Sequence, residues 1–441
     1  MTDRNGTVLR FPWGREEIAL TLPASWELSG ILEPTTSQPP VDAESETRRA
    51  LAEPRGTPRL RELAQPGATV TIVIDDASRP TPVRAILPAV VAELEAGGVQ
   101  REDMTLLTAL GVHRPMSEAE VVGRAGDLVA DGLRWRNHDC DDVDGLVHLG
   151  TTRRGTEVWI NRLVVEADLV VSIGCIEPHL IASFGGGYKN LVPGVAGRET
   201  VGHNHALNAH ADTFNMVGQP IAKNPMRLDL EEAAQMLTAP VFVVNAVLNS
   251  ALEVVRIVAG HPIVAHREGA QVSASIYGAK IPRPADVVIA SSHPMDTDLR
   301  QGSKALANTI RAVRPGGIQI ILMRAEEGLG VFGLADRNLP LKRGGLKLLA
   351  PLLVNLIPRL KLGDMPHDER FYLYFALQSM RRCTTLVYAP TIPEEARSGL
   401  PFVIFVDEVE EAIACAQRRL RQATVWAFPH GGSTYPVLSQ S

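Results

Sequence analysis

The chain has 441 residues, more than one ordinary hydrophobic core requires, so its length predicts two domains. Hydrophobic residues make up 45% and charged residues 21%, a balance typical of globular proteins rather than disordered or fibrous ones. The formal net charge of −6, with no long basic run, argues against a nucleic-acid-binding protein. No apolar run is long enough to cross a bilayer, so we expect no membrane partner.

Four widely spaced cysteines form neither a disulfide pattern nor a zinc pattern, and the N-terminus lacks the apolar core of a signal peptide. Both features predict a reducing, cytoplasmic location.

The N-terminal residues 7–23 alternate in polarity around a Pro-Trp-Gly turn, which predicts a β-hairpin. A buried strand over 68–74 then precedes a helix that ends near residue 95, and a second strand over 103–110 precedes another helix. Ser117 and Glu120 predict a capping box at the start of that second helix.

Polar residues follow these predicted strands at the point where each one ends. Asp76 and Arg79 come after the first strand, and His113 comes after the second. A third buried strand over 169–173 leads to His179. In open α/β sheets, ligands bind outside the carboxyl ends of the strands. Three such ends in adjacent strand–helix units predict a functional site.

The stretch from 177 to 205 carries the densest set of chemical groups. Glycines let a backbone approach a ligand closely, and their N–H groups can hold an anion. A lysine can pair with phosphate or, when its amine is neutral, act as a nucleophile, and histidines can move protons or bind metal. The groups in question are Gly185, Gly186, Gly187, Lys189, His203 and His205. A glycine triplet is also common in plain turns, and histidines are commonly structural, so both interpretations are open at this point. Glu177 either orients a histidine or caps the loop.

Strands and helices alternate again after residue 284, which predicts a second α/β domain. Its first strand leads to His293, and the following helix carries Gln301 and Lys304 three residues apart, on one face. We therefore predict an α/β fold of two domains with a cleft between them. The predicted bounds are 1–281 for the N-terminal domain, 282–422 for the C-terminal domain, and 423–441 for a tail that could return to the N-terminal domain.

These groups together indicate chemistry on a small anionic molecule. Arg79 can bind a carboxylate through a bidentate pair of hydrogen bonds, and Lys304 would add a positive charge from the other domain. Two bases, His113 and His179, could serve opposite faces of one carbon. Inversion of a stereocentre requires that arrangement, because a hydrogen leaves one face and returns to the other.

The same residues give the chain a resemblance to the nickel-dependent lactate racemases and their 2-hydroxyacid racemase relatives. The resemblance extends over nearly the whole length, and its motifs occur in the same order and spacing. These motifs are DDASRPTP at 75–82, GVHR at 111–114, EPHLIASFGGGYKNLVPG at 177–194, a histidine sixteen residues beyond Lys189, and PMDTDLRQGSK at 294–304. Several motifs in register are far more specific than one glycine-rich loop.

The resemblance implies a nickel pincer nucleotide, a pyridinium-3,5-bisthiocarboxylic acid mononucleotide, attached to Lys189 through a thioamide. It implies that His205 completes the ligand set of the nickel, which an imidazole suits. It also places Ser183, Gly185, Gly186 and Gly187 against the cofactor. Separate maturation enzymes would load this cofactor, so they are expected partners alongside a small 2-hydroxy acid substrate.

For catalysis, the resemblance implies that His113 and His179 act as alternate bases while the α-hydrogen of the 2-hydroxy acid leaves as a hydride to the cofactor. A 2-keto acid forms and takes the hydride back on its other face. Supporting roles fall to Asp76, which orients a base, to Arg79 and Lys304, which bind the substrate carboxylate or carbonyl, and to Gln301.

The chain departs from the lactate-type pattern at His293 and Arg300, where that pattern has tyrosines. A larger or more acidic 2-hydroxy acid is therefore a candidate substrate. His203, His293 and His430 are expected to be supporting or structural.

Two other functions remain alternatives: a nicotinamide-dependent 2-hydroxyacid dehydrogenase, and a non-catalytic protein that binds a carboxylate or the cofactor. Against the dehydrogenase, no predicted strand is followed by GxGxxG and a later acidic residue.

Overall fold

The computed structural model describes residues 6–35, 38–330, 341–357 and 367–439. The chain forms two compact units. Unit 1 combines Met1–Thr35, Ala209–Gly218 and Tyr277–Ser441, and unit 2 combines Thr36–Asn208 and Gln219–Ile276. No helix in the described part of the chain has both the length and the apolarity needed to cross a bilayer.

Twenty strands run through the described residues. In chain order they are β1 (Val8–Trp13), β2 (Glu16–Thr21), β3 (Trp26–Ile31), β4 (Val70–Asp75), β5 (Met104–Ala109), β6 (Arg134–Asn137), β7 (Leu146–Thr151), β8 (Glu157–Asn161), β9 (Leu169–Cys175), β10 (Pro178–His179), β11 (Ser183–Phe184), β12 (Val241–Leu248), β13 (Val254–Gly260), β14 (Gly278–Ile281), β15 (Ala285–Ser291), β16 (Val313–Leu322), β17 (Thr384–Tyr388), β18 (Ile404–Val406), β19 (Ala423–Phe428) and β20 (Tyr435–Leu438).

Fourteen α-helices accompany them in the same residues. They are α1 (Ala43–Ala52), α2 (Leu60–Leu63), α3 (Val83–Ala96), α4 (Glu118–Ala125), α5 (Asp127–Ala130), α6 (Arg162–Val165), α7 (Arg198–Ala206), α8 (Pro225–Ala234), α9 (Pro262–Tyr277), α10 (Leu299–Thr309), α11 (Arg343–Leu356), α12 (His367–Arg382), α13 (Glu394–Ser398) and α14 (Val409–Arg419). Both classes of element confirm the predicted α/β fold class.

Unit 2 is built on a six-stranded sheet in the order β13-β12-β9-β4-β5-β6. All neighbours are parallel except β12 and β13, which are antiparallel. Every residue of β4 is buried, as expected for a parallel strand in the middle of a covered sheet. Strand β4 lies between β9 and β5, so the carboxyl ends of these three strands are side by side. The three strand ends that the sequence analysis singled out are therefore adjacent in this sheet.

Unit 1 is built on a second six-stranded sheet, in the order β18-β17-β16-β15-β19-β3 and parallel throughout. The hairpin β1–β2, which the sequence predicts, packs Phe11 and Leu20 into the same core as Val287 and Ile320 of this sheet. Strands β14 and β20 of the same unit pair in parallel as a separate two-stranded sheet.

The compact units divide the chain differently from the predicted domains. The first 35 residues, predicted for the N-terminal domain, belong to unit 1 because β3 pairs with β19. The tail 423–441 also stays in unit 1, since β19 lies between β15 and β3 and β20 pairs with β14. Strand β3 was not predicted, because its pairing partner lies almost 400 residues further along the chain.

Candidate active site

The loop after β4 carries Asp76 and Arg79, and Arg124 holds its backbone in place. The Arg124 guanidinium donates to the carbonyl of Asp75 at 2.8 Å and to the carbonyl of Arg79 at 3.0 Å, and it also pairs with the Asp75 carboxylate. Thr81 donates a hydrogen bond to the same carboxylate. The Asp75 carboxylate is therefore used to fix the conformation of this loop. The next carboxylate, Asp76, has other partners.

Asp76 and His113 form a contact between two neighbouring strand ends. One oxygen of Asp76 (Oδ2) contacts Nδ1 of His113, and the other (Oδ1) accepts from the Ser78 N–H at 3.1 Å and the Ser78 hydroxyl at 2.5 Å. Burial alone would raise the pKa of Asp76, but the hydrogen bond and charge of His113, with Ser78 and Arg79, bring this pKa well below its ordinary range. The carboxylate is ionised, so His113 carries its proton on Nδ1 and presents Nε2 as an acceptor.

Arg79 forms an ion pair with Glu177, which joins the loop after β4 to the loop after β9. The two side chains are 23% and 14% exposed, respectively. Burial would lower the pKa of the guanidinium, but the charge of Glu177 outweighs it and raises this pKa above its ordinary value. Arg79 is thus a permanently charged group with a fixed orientation, and Glu177 is the residue that orients it.

His179 is held differently from His113. Its Nδ1 accepts hydrogen bonds from the backbone N–H groups of Ile181 and Ala182, at 3.2 and 3.1 Å. A ring nitrogen that accepts two donors carries no proton itself, so the neutral ring is protonated on Nε2. The two histidines that the sequence predicts as equivalent bases therefore have opposite tautomers.

The glycine loop, residues 182–190, is supported from within the protein. The N–H of Gly185 donates to the carbonyl of Glu177, and the N–H of Gly187 donates to Asn245 Oδ1, both at 2.8 Å. These two N–H groups are therefore already paired with protein acceptors, and the contact of the glycine loop with the cofactor stays a prediction. A Cβ on Gly186 would lie 2.6 Å from Ile176 Cγ1, so at this position the glycine is required by protein packing.

Ser183, which the resemblance places against the cofactor, is fully buried. Its hydroxyl accepts a hydrogen bond from Asn224 Nδ2 at 2.9 Å, so it supports the glycine loop itself. The contact between Ser183 and the cofactor that the resemblance implies stays a prediction.

Arg227 of α8 is a fully buried arginine that the sequence analysis did not single out. Its guanidinium donates to three carbonyls of the glycine loop: Ala182 at 3.3 Å, Gly186 at 3.1 Å, and Phe184. One side chain thus satisfies backbone acceptors that water cannot reach. No local motif marks Arg227, because its function depends on a loop about 40 residues earlier in the chain.

Lys189 lies in a 3₁₀ turn at the end of this loop (Gly187–Asn190) and is half-buried. Burial lowers the pKa of its amine to about 7, and the positive charges of Arg79 and Arg227 contribute to the same shift. Near neutral pH a large share of the amine is therefore unprotonated. An unprotonated lysine is a nucleophile that can form a covalent bond to a carbonyl-type carbon.

His205 lies on α7, and its Nδ1 is buried with no hydrogen-bond partner among the described residues. A buried nitrogen of this kind costs free energy unless something binds it. Burial, followed by the positive charges of Lys189 and His113, lowers the pKa of His205 to about 3. The ring is therefore neutral across the physiological range, and a neutral imidazole is the form that binds a metal ion. These properties fit the ligand role that the resemblance implies.

A buried polar network fixes the helix that carries His205. Asn204 donates to Asp229 at 2.8 Å and to the carbonyl of Met226 at 3.0 Å, which ties α7 to α8. Asp229 is fully buried and also accepts from the hydroxyls of Thr152 and Thr156. His203 Nδ1 forms a 2.8 Å hydrogen bond with Thr156 Oγ1, so His203 has the structural role expected for it.

Gln301 and Lys304 lie together on α10 of unit 1. Asp298 caps this helix by accepting from the Gln301 N–H at 2.7 Å, and the Lys304 amine lies 3.7 Å from Met295 Sδ. The His293 and His430 rings contact each other in the same unit, with centroids 5.3 Å apart. The other predicted site residues form the group described above in unit 2.

Comparison with known proteins agrees with this architecture. The family model described as the lactate racemase N-terminal domain matches residues 13–216. A curated relative, the lactate racemase of Thermoanaerobacterium thermosaccharolyticum, is 31% identical over 329 residues, which cover 74% of this chain and 76% of the relative. The lactate racemase of Lactiplantibacillus plantarum is 29% identical over 310 residues, which cover 68% of this chain and 71% of the relative.

The solved structure of the lactate racemase apoprotein from Thermoanaerobacterium thermosaccharolyticum superposes with a TM-score of 0.83 at 26% identity. The match covers 98% of this chain and 100% of the solved one, so the fold is shared from end to end. On this combination of sequence identity and fold, the chain belongs to the lactate racemase family and is an isomerase of the racemase type.

Proposed function

We propose that this protein racemises or epimerises a 2-hydroxy acid and that it uses a nickel pincer nucleotide attached to Lys189. The observation that carries the proposal is the pair of reactive groups in unit 2, a lysine amine with a pKa of about 7 and a buried histidine nitrogen that has no hydrogen-bond partner among the described residues. When bound, this cofactor supplies a carbon that accepts a hydride and returns it. Lys189 would hold it covalently, and His205 would bind its nickel, a metal for which imidazole is a suitable ligand.

In this proposal, His113 and His179 carry out the proton transfers. Because Asp76 holds the Nδ1 proton of His113, Nε2 of this ring can take the proton of the substrate hydroxyl, and the carboxylate stabilises the imidazolium that results. His179 holds its own proton on Nε2 and can donate a hydrogen bond from there. The substrate would therefore meet one ring ready to accept a proton and one ring ready to donate.

The substrate carboxylate needs cationic partners. Arg79 remains charged at every pH at which the protein is folded, and its pairing with Glu177 fixes the direction of its remaining N–H donors. As the resemblance implies, we assign Arg79 and Lys304 to binding the carboxylate or polarising the carbonyl of the intermediate, and Gln301 to a supporting role. The assignment of Gln301 and Lys304 rests on the motif match at 294–304, in which both of these residues lie on α10.

The first test measures the intact mass and the nickel content of the protein after co-expression with the enzymes that make the cofactor. We expect an added mass and about one nickel per chain. Lys189→Ala is expected to lose both, and Lys223→Ala, at an exposed lysine of the same unit, should keep both. No added mass and no nickel in the wild type would refute the proposal.

The second test distinguishes hydride transfer from proton abstraction. L-lactate, the substrate named for the relatives, and a set of larger 2-hydroxy acids are incubated in D₂O, and both enantiomers are followed by chiral chromatography and NMR. Hydride transfer retains the α-hydrogen in the product enantiomer, whereas proton abstraction replaces it with deuterium from the solvent. Deuterium at the α-carbon would refute the hydride route while leaving racemase activity in place.

A further inference from the structure

Helix α11 of unit 1 has an apolar face that the rest of the described chain leaves exposed. Among the described residues, four of the 13 large hydrophobic side chains that are exposed lie on this one helix. They are Leu348, Leu349, Leu352 and Leu356. Positions 348, 352 and 356 are four apart and so line one side of the helix, and Leu348 is 80% exposed. Scattered exposed leucines need no explanation, but a row on one helix marks an interaction site.

The helix does not need these leucines for its own packing. A second row on a different side, Leu346, Ala350 and Val354, is buried against α12. Helix α11 is therefore fixed to unit 1 by one apolar row and presents the other row to the solvent. An ordinary surface helix has a polar outer side, and the outer row of α11 departs from that pattern.

The charges beside the row indicate what binds it. From Leu341 to Ile357 the sequence has three basic residues, Lys342, Arg343 and Lys347, and no acidic residue, although the whole chain has a net charge of −6. Lys342 and Lys347 are exposed, whereas Arg343 donates to the carbonyls of Pro401 and Phe402. The surface is therefore leucine-rich and locally positive.

We propose that α11 attaches the protein to a membrane surface that contains anionic lipids. A leucine row flanked by lysines is the composition of helices that lie in the headgroup region, where the leucines enter the acyl boundary and the lysines meet lipid phosphates. A second copy of this chain on this row is the alternative outcome, which the light-scattering measurement below detects. A protein partner fits less well, because the outer row lacks the tryptophan, tyrosine and arginine that dominate such interfaces. This is peripheral attachment, and it replaces the expectation of no membrane partner.

The test is co-sedimentation of the full-length protein with phosphatidylcholine vesicles, with and without phosphatidylglycerol. We expect binding to the anionic vesicles that weakens as salt is added, and little binding to pure phosphatidylcholine. The double variant Leu348→Ser/Leu352→Ser should bind the anionic vesicles at least about tenfold more weakly. Lys347→Glu should weaken binding by about tenfold or more, because a lipid-facing cation becomes an anion.

The controls carry matched changes elsewhere. Val143→Ser alters a side chain that is 75% exposed in unit 2, and Lys223→Glu reverses an exposed charge in the same unit. Both should bind vesicles like the wild type, and circular dichroism should show all variants folded. The proposal is overturned if the wild type does not bind anionic vesicles, or if the leucine variant binds as tightly. It is also overturned if light scattering shows that the leucine change abolishes self-association rather than vesicle binding.

Discussion

Replacing Asp76 by asparagine tests whether the tautomer of His113 is set by this carboxylate. The simple part of the effect is the loss of a hydrogen bond to a charged group, worth about 1.5–3 kcal/mol. At about 1.36 kcal/mol for each factor of ten, this loss alone would lower the turnover number by roughly 10- to 150-fold.

The contacts of Asp76 predict a larger effect for asparagine. Ser78 donates to Oδ1 through its N–H and its hydroxyl, so the amide oxygen of the asparagine must occupy that position. Its NH₂ group then faces Nδ1 of His113 and forces that nitrogen to accept. His113 would carry its proton on Nε2 and could no longer take one from the substrate. Inversion of the tautomer of a catalytic histidine can cost about 10⁴-fold.

Asp76→Ala separates the two effects, because alanine removes the carboxylate without imposing the other tautomer. We therefore expect the order of activity to be wild type, then Asp76→Ala, then Asp76→Asn. The assay is the initial rate of racemisation from one pure enantiomer by chiral chromatography, with each protein matched for nickel content and intact mass. Long-range ¹H–¹⁵N NMR of histidine-labelled protein reports the tautomer directly. Equal or higher activity of Asp76→Asn than of Asp76→Ala would refute the reasoning.

Three further predictions concern the cofactor residues and their support. In the unloaded protein, an amine-modifying reagent should label Lys189 half-maximally near pH 7, because the neutral amine forms there; peptide mass mapping across a pH series measures the profile, and a midpoint two or more pH units higher would contradict the assignment. His205→Gln should keep the added mass of the tethered group but lose nickel, as measured by metal analysis, and retained nickel would exclude His205 as a ligand. Arg227→Met should lower the free energy of unfolding in urea by about 3 kcal/mol or more, because three carbonyls of the glycine loop lose their donor. The control Arg153→Met, at a side chain that is 91% exposed, should leave the unfolding curve unchanged.

Much of the site could be predicted from the sequence because each part of it follows a local pattern. The buried strands β4, β5 and β9 are short runs of β-branched and aliphatic residues, and chemically active residues come directly after them. Parallel strands end at the same edge of a sheet, so a pattern that is local in sequence becomes a cluster in space. Of the residues that the resemblance singled out, six lie in unit 2 (Asp76, Arg79, His113, His179, Lys189 and His205), whereas Gln301 and Lys304 lie in unit 1.

The tertiary structure alone decided how those residues are charged and supported. The Asp76–His113 contact joins residues 37 apart in sequence, and the Arg79–Glu177 pair joins residues 98 apart. No local pattern specifies which nitrogen of a histidine faces a carboxylate or a backbone N–H, so the opposite tautomers of His113 and His179 appear only in three dimensions. The same holds for Arg227, and for β3, which joins a sheet formed mainly by the C-terminal part of the chain. Sequence determined which chemical groups are present and at which strand ends they lie, whereas burial and long-range hydrogen bonds determined their protonation and orientation.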